Sequence, residues 1–207
     1  MVRHVVLILA LLAAAWPAHA GVAVVRALVP GVHGMALGPD GHLYFSDSFG
    51  ALSGVRRVYR LEPPFTGEPR PTPITGTLPA GLLWHGDRLL VCDTGAHRVC
   101  VYDRKLRKID EWPVPSPWNL RPTPHDGYWV VSHANQAMLV RRGAVIKILP
   151  DLLAPFDVAV PPDGTLWISE QGVKPGDPGR VVRRSTAGQV LQVLDYPWPN
   201  PEGLALD

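Results

Sequence analysis

The sequence predicts an all-β chain assembled from repeated four-stranded antiparallel units, and three observations carry that expectation. A segment recurs along the chain: "HGMALGPDGHLYFSD" (33–47), "AGLLWHGDRLLVCD" (80–93), "NLRPTPHDGYWVVSH" (119–133), "FDVAVPPDGTLWISE" (156–170) and "EGLALD" (202–207). Aligned positions Gly34, Gly81, Leu120, Asp157 and Gly203 stand 47, 39, 37 and 46 residues apart, near the 40–45 of propeller blades. Second, an Asp-Gly pair sits at the same place in three units (Asp40-Gly41, Asp126-Gly127, Asp163-Gly164), and this dipeptide accepts the positive φ of a tight hairpin. Third, the strand after each turn ("LYFS", "YWVV", "LWIS") is apolar on consecutive residues, the pattern of a strand covered on both faces.

The units follow in order. Blade-like repeats are expected near 32–76, 77–116, 117–154 and 155–196, with 197–207 supplying the first strand of a fifth. In each, an apolar strand, a turn and a second apolar strand lead into further strands such as "RVCVYD" and "GRVVRRST". The 20 glycines and 23 prolines favour many turns over long helices. Four strands per unit, arranged radially, make a β-propeller. A β-sandwich would not require the same turn chemistry at a regular period. The Pro-Trp stretches "WPVPSPWN" (112–119) and "YPWPNPE" (196–202) read as connectors between blades, since proline cannot donate to a sheet ladder.

Residues 1–20, "MVRHVVLILALLAAAWPAHA", have the form of a signal peptide, with Arg3 at the start, an apolar centre and Ala18-His19-Ala20 for cleavage. The expectation is an exported, periplasmic or secreted domain over 21–207, with no transmembrane segment after the leader. In an oxidising compartment Cys92 and Cys100 either pair across a hairpin or remain two buried thiols. The net charge of +2 is scattered, which argues against a nucleic-acid partner.

"DTGAHRVCVYD" (93–103) resembles the signature of an NHL repeat, with Ala96 in place of the usual Asn. "GMALGPDGHLYFSD", "FDVAVPPDGTLWISE" and "PEGLALD" likewise resemble blades of the gluconolactonase, streptogramin-lyase and NHL superfamily of propellers. The resemblance implies a ring of six blades, so that this chain is a truncated product or part of a larger propeller, with pairing of two chains as the alternative. Closure by an N-terminal strand, a common device, would use "GVAVVRALV" (21–29). The resemblance also implies that Asp93 with Arg98 holds its hairpin, and Glu170 with Arg180 in the same way. An exposed pair of this kind contributes about 0–1 kcal/mol, so Asp47, Asp93 and Glu170 are read as structural. His133 is read as standing in their register and breaking the pattern.

In a propeller the residue just before each blade's first strand faces the central channel. Those positions are read here as His33, Ala80, Asn119, Phe156 and Glu202. Family members that bind a divalent cation use Glu, Asn and Asp at this register, which hard cations favour. Glu202 and Asn119 match that pattern, and His33 would suit zinc or manganese. Phe156, and Leu120 after Asn119, depart from it. Trp118, Trp198 and His133 are candidate faces for a small molecule or sugar. Three functions follow as expectations: a metal-assisted sugar-lactone hydrolase using calcium, zinc or manganese; a non-catalytic platform for a ligand or protein; and a streptogramin-type lyase.

Overall fold

The computed structural model describes residues 31–172, 177–198 and 200–206; the leader and the 21–29 strand lie outside them. Sixteen strands form four four-stranded antiparallel sheets, each in simple sequence order. The first blade is β1 (Val32–Leu37), β2 (Leu43–Asp47), β3 (Arg57–Leu61) and β4 (Arg70–Thr75). The second is β5 (Pro79–His85), β6 (Arg88–Asp93), β7 (Arg98–Tyr102) and β8 (Lys108–Pro113). The third is β9 (Pro117–Pro122), β10 (Tyr128–Ser132), β11 (Gln136–Arg141) and β12 (Ala144–Leu149). The fourth is β13 (Pro155–Ala159), β14 (Leu166–Glu170), β15 (Gly179–Arg184) and β16 (Val190–Trp198). This is an incomplete β-propeller. Among the described residues no helix is long and apolar enough to cross a membrane.

The consecutive apolar residues of the second strands do what their pattern requires. In β6, Leu89 and Val91 pack towards the first blade with Tyr44, Val58 and Ile74, whereas Leu90 and Cys92 pack towards the third with Leu120, Val130 and Met138. Trp129 and Val131 meet Val158, Leu166 and Ile168 across the next seam. At Gly41 and Gly164 the Asp-Gly turns carry φ of 79° and 77°, the region glycine enters without a Cβ penalty. The connectors are shorter than expected: Trp112 and Pro113 end β8, Pro117 and Trp118 open β9, and Trp198 ends β16. Proline stands first in β5, β9 and β13, where a missing N–H breaks no ladder.

The same opposition of faces decides the cysteines. Cys92 pairs with Val99 and Cys100 with Val91, so the two side chains leave opposite faces of one sheet and enter different cores. Both are free and buried, and burial pushes both thiols up in pKa. A thiol assay should count two free thiols after denaturation and almost none before it; zero after denaturation would contradict this geometry.

Two expectations need correction. The acid–arginine pairs are not exposed: Asp93 is 2% and Glu170 0% accessible, although their arginines reach solvent. Residues 201–206 form no strand, and among the described residues no second strand of a fifth blade lies beside them. The segment nevertheless occupies the next radial place, since the Leu204 N–H donates to Asp157 Oδ2 at 3.0 Å.

Candidate functional site at the channel mouth

The innermost strands β1, β5, β9 and β13 each contain a bulge near their start, where a residue is added without a partner on the second strand. The candidate residues therefore lie within these strands rather than before them. Val32, Pro79, Pro117 and Pro155 pair with Asp47, Asp93, Ser132 and Glu170. Counting from these pairs, the bulge register holds His33, Ala80, Trp118 and Phe156. Asn119 belongs one residue deeper, with Gly34, Gly81 and Asp157. By the same count Ser132, not His133, replaces the acid of the other blades. His133 is equivalent to Ser48, Thr94 and Gln171, as the matching backbone bonds to the carbonyls of Gly31, Leu78, Ser116 and Ala154 show.

The deeper register sets how closely the blades approach. A Cβ on Gly34 would sit 2.7 Å from Gly81 Cα, and one on Gly81 2.8 Å from Asn119 Cα. Between the third and fourth blades side chains replace this contact. Asn119 Nδ2 donates to Asp157 Oδ1 at 2.8 Å, while Asn119 Oδ1 accepts from Leu120 N at 2.9 Å and Arg121 at 3.0 Å. Arg121 donates to Asp157 Oδ2 at 2.9 Å. Burial pushes the Asp157 carboxyl up in pKa, outweighing the Arg121 charge and the N–H donors that hold it down.

Asn119, Arg121 and Asp157 of this layer line a cleft of about 290 Å³ together with His33, Phe156 and Glu202. The three residues read as metal ligands thus share one cleft, and Glu202 is exposed in it. They do not make a fitting cation cage: both lone-pair directions of Asn119 Oδ1 are taken, and the guanidinium beside it would repel a cation. Among the described residues no group of three or more His, Cys, Asp or Glu side chains is placed to hold a metal ion.

The rim is aromatic. Trp118 is stacked face to face on His133 with centroids 3.9 Å apart, and meets His33 at 4.7 Å and Phe156 at 5.4 Å. Trp118 is only 5% accessible, so its face is covered, and the exposed His133 presents the surface instead. His33 Nδ1 is buried without a hydrogen-bond partner. Burial, and then the neighbouring His133, lower the His33 pKa, and burial alone lowers that of His133. Both rings are neutral at pH 7. The side chain of Trp198 lies outside the described residues. Register counting, rather than residue type, was the signal that would have separated Trp118 from Asn119.

No protein-family model and no curated protein matches the chain. Solved structures do. Selenomethionine-substituted virginiamycin B lyase from Staphylococcus aureus superposes with a TM-score of 0.62 at 15% identity, over 84% of this chain and 59% of that one. A catalytically inactive histidine-to-alanine variant of the same lyase with quinupristin gives 0.59 at 15%, over 82% and 57%. Glutaminyl cyclase from Myxococcus xanthus gives 0.56 at 13%, over 79% and 69%. The chain spans less than two thirds of the length of the virginiamycin B lyase structures. At this identity the likeness establishes the propeller fold.

Proposed function

We propose that the channel mouth binds a small organic ligand and that the propeller to which this chain contributes performs lyase-type chemistry on it, with neutral His33 accepting a proton. The observation that carries this reading is the pair of histidines on either side of Trp118. His33 stands where another blade has Ala80, and His133 where others have Ser48 and Thr94, so neither ring is required by the blade itself. A neutral imidazole at the wall of a partly enclosed cleft is a competent general base, worth about 10²–10⁴-fold in rate. That a histidine-to-alanine variant of a propeller lyase is inactive adds support by analogy. The leader-like stretch at 1–20 supports an activity outside the cytoplasm, which fractionation of expressing cells would check.

The test is to incubate the chain with quinupristin and follow its loss by mass spectrometry. The expected result is turnover that falls about 100-fold or more in His33→Ala. Because burial lowers the His33 pKa, the rate should fall on acidification as the ring takes a proton, with a midpoint below that of an ordinary imidazole. A wild-type chain that neither binds nor consumes quinupristin would overturn the lyase reading.

One observation favours a second reading, the sugar-lactone hydrolase: His33 and Glu202 line the same cleft. It needs a cation ligand set larger than these two. Zinc, manganese or calcium binding by calorimetry that disappears in Glu202→Gln would favour it over the lyase.

A further inference from the structure

The connection between β2 and β3 is longer than the blade requires. It takes nine residues, 48–56, and the fourth blade's takes eight, 171–178, whereas the equivalent connection takes only 94–97 in the second blade and 133–135 in the third. The extra chain, "SFGALSGVR", is pinned in place. The buried Asp47 carboxylate accepts from the Ala51 and Leu52 N–H groups, each at 2.9 Å. Gly54 N donates to Gly50 O at 2.7 Å, and Tyr59 Oη to Ser53 Oγ at 2.7 Å. Despite these restraints the loop turns its apolar side chains outward: Phe49 is 63%, Leu52 40% and Val55 41% exposed. A loop that served only to close the hairpin would gain by burying them. Phe49 also lies beside the cleft, its ring edge-on to His33 at 5.2 Å, continuing the series of rings through His33 to Trp118.

We propose that loop 48–56 is a preformed apolar ledge that receives the hydrophobic group of the ligand whose polar part enters the cleft at His33. The ligand class is then an organic molecule that joins a polar part to an aromatic or branched-alkyl group, and not a free sugar. This rests on the reading of the cleft as a ligand site. Continuity with the cleft favours this occupant: the ledge meets the site through direct ring contact, and its shape is fixed before anything binds, which lowers the ordering cost of association.

The experiment uses the 207-residue chain and N-phenyl-1-naphthylamine, a neutral aromatic probe that fluoresces when it leaves water, with circular dichroism to verify folding of each variant. The double substitution Phe49→Ser with Leu52→Ser should weaken saturable probe binding about tenfold. Leu153→Ser, which alters a comparably exposed apolar residue on another loop, should leave it unchanged. Quinupristin should displace the probe and glucono-δ-lactone should not. Equal probe affinity in the wild type and the double variant overturns the ledge, and so does displacement by the sugar lactone. A concentration-dependent dimer in sedimentation that vanishes in the double variant would assign the surface to a second copy of the chain and would also overturn it. The two readings fail separately: loss of quinupristin turnover in His33→Ala with unchanged turnover in the ledge variant would leave the cleft standing and remove the ledge, whereas unchanged turnover in His33→Ala would remove the cleft reading.

Discussion

Gly81→Ala should unfold the arc or destabilise it by about 4 kcal/mol, a severe effect for one methyl group. Gly81 lacks the positive φ that would explain a glycine through its own backbone, so the reason lies across the seam. Its added Cβ would meet Trp118 O at 2.6 Å, Asn119 Oδ1 at 2.7 Å and Asn119 Cα at 2.8 Å. Two of these atoms are backbone in a strand hydrogen-bonded to the rest of its blade, so neither can yield alone. The second and third blades must separate, and separation opens the core shared by Leu90, Cys92, Leu120 and Val130. Overpacking of a rigid contact is costly because interiors are close-packed. Gly67→Ala is the control: nothing lies within 4 Å of its Cβ, and it should change stability little. Urea unfolding of the three proteins decides the matter. A Gly81→Ala chain within about 1 kcal/mol of wild type would show that the seam is compliant.

Asp93→Ala should cost about 3–5 kcal/mol, because it removes three interactions from one buried place. Oδ1 accepts from the Thr77 N–H at 2.8 Å and the Leu78 N–H at 3.0 Å, tying the entry of the second blade to its own second strand. Oδ2 takes the Arg98 guanidinium at 3.3 Å through both Nε and Nη2. Alanine leaves two enclosed N–H groups without an acceptor, which is dearer than the loss of an exposed ion pair. Arg98 keeps Glu111 at 3.1 Å, so its charge is not stranded. Asp93→Asn retains a carbonyl oxygen for the N–H pair and should therefore recover at least half of the loss. Chemical denaturation of Asp93→Ala and Asp93→Asn gives the comparison, and equal losses for the two would assign the whole effect to charge instead of the N–H pair.

The blades were legible because their signals are local. Asp-Gly pairs and consecutive apolar residues report turns and two-sided burial without reference to anything distant, and the observed strands follow them. Of the candidate residues, His33, Asn119 and Glu202 line one cleft, and His133 stacks on Trp118, which in turn meets His33. The third blade was misread by one residue for a physical reason. Its turn is as long as the first blade's, 123–127 against 38–42 between paired strand ends, but the Asp-Gly pair sits one place later in it, so that Tyr128 opens β10 directly after Gly127 whereas His42 and Thr165 intervene in the first and fourth blades. Aligning on Asp-Gly therefore shifted Asn119 into the register of Trp118 and His133 into that of Ser132. The bulge sets which side chain faces the channel, and an Asp-Gly pair displaced by one place hides that register without altering the apolar pattern. Arg121 and Asp157 were missed because their meeting joins residues of different blades, a distance of 36 positions that no period reports.

The hydroxyls at the rim divide the arc into unequal seams. Ser48 Oγ donates to the carbonyl of Pro79, and Thr94 Oγ1 to that of Pro117, so each clasps its blade to the next at the mouth. His133 holds the same place in the third blade, but its ring turns back onto Trp118 of its own blade. The seam between the third and fourth blades is thus fastened deeper, at Asn119 and Asp157, and lacks a hydroxyl clasp above. Its breathing should be wedge-shaped, wider at the rim than at the base, with the amide protons of Ala154 and Phe156 exchanging faster than those around Leu78. Phe156 would ride on that movement, which makes the width of the entrance a property of thermal motion as much as of the resting shape.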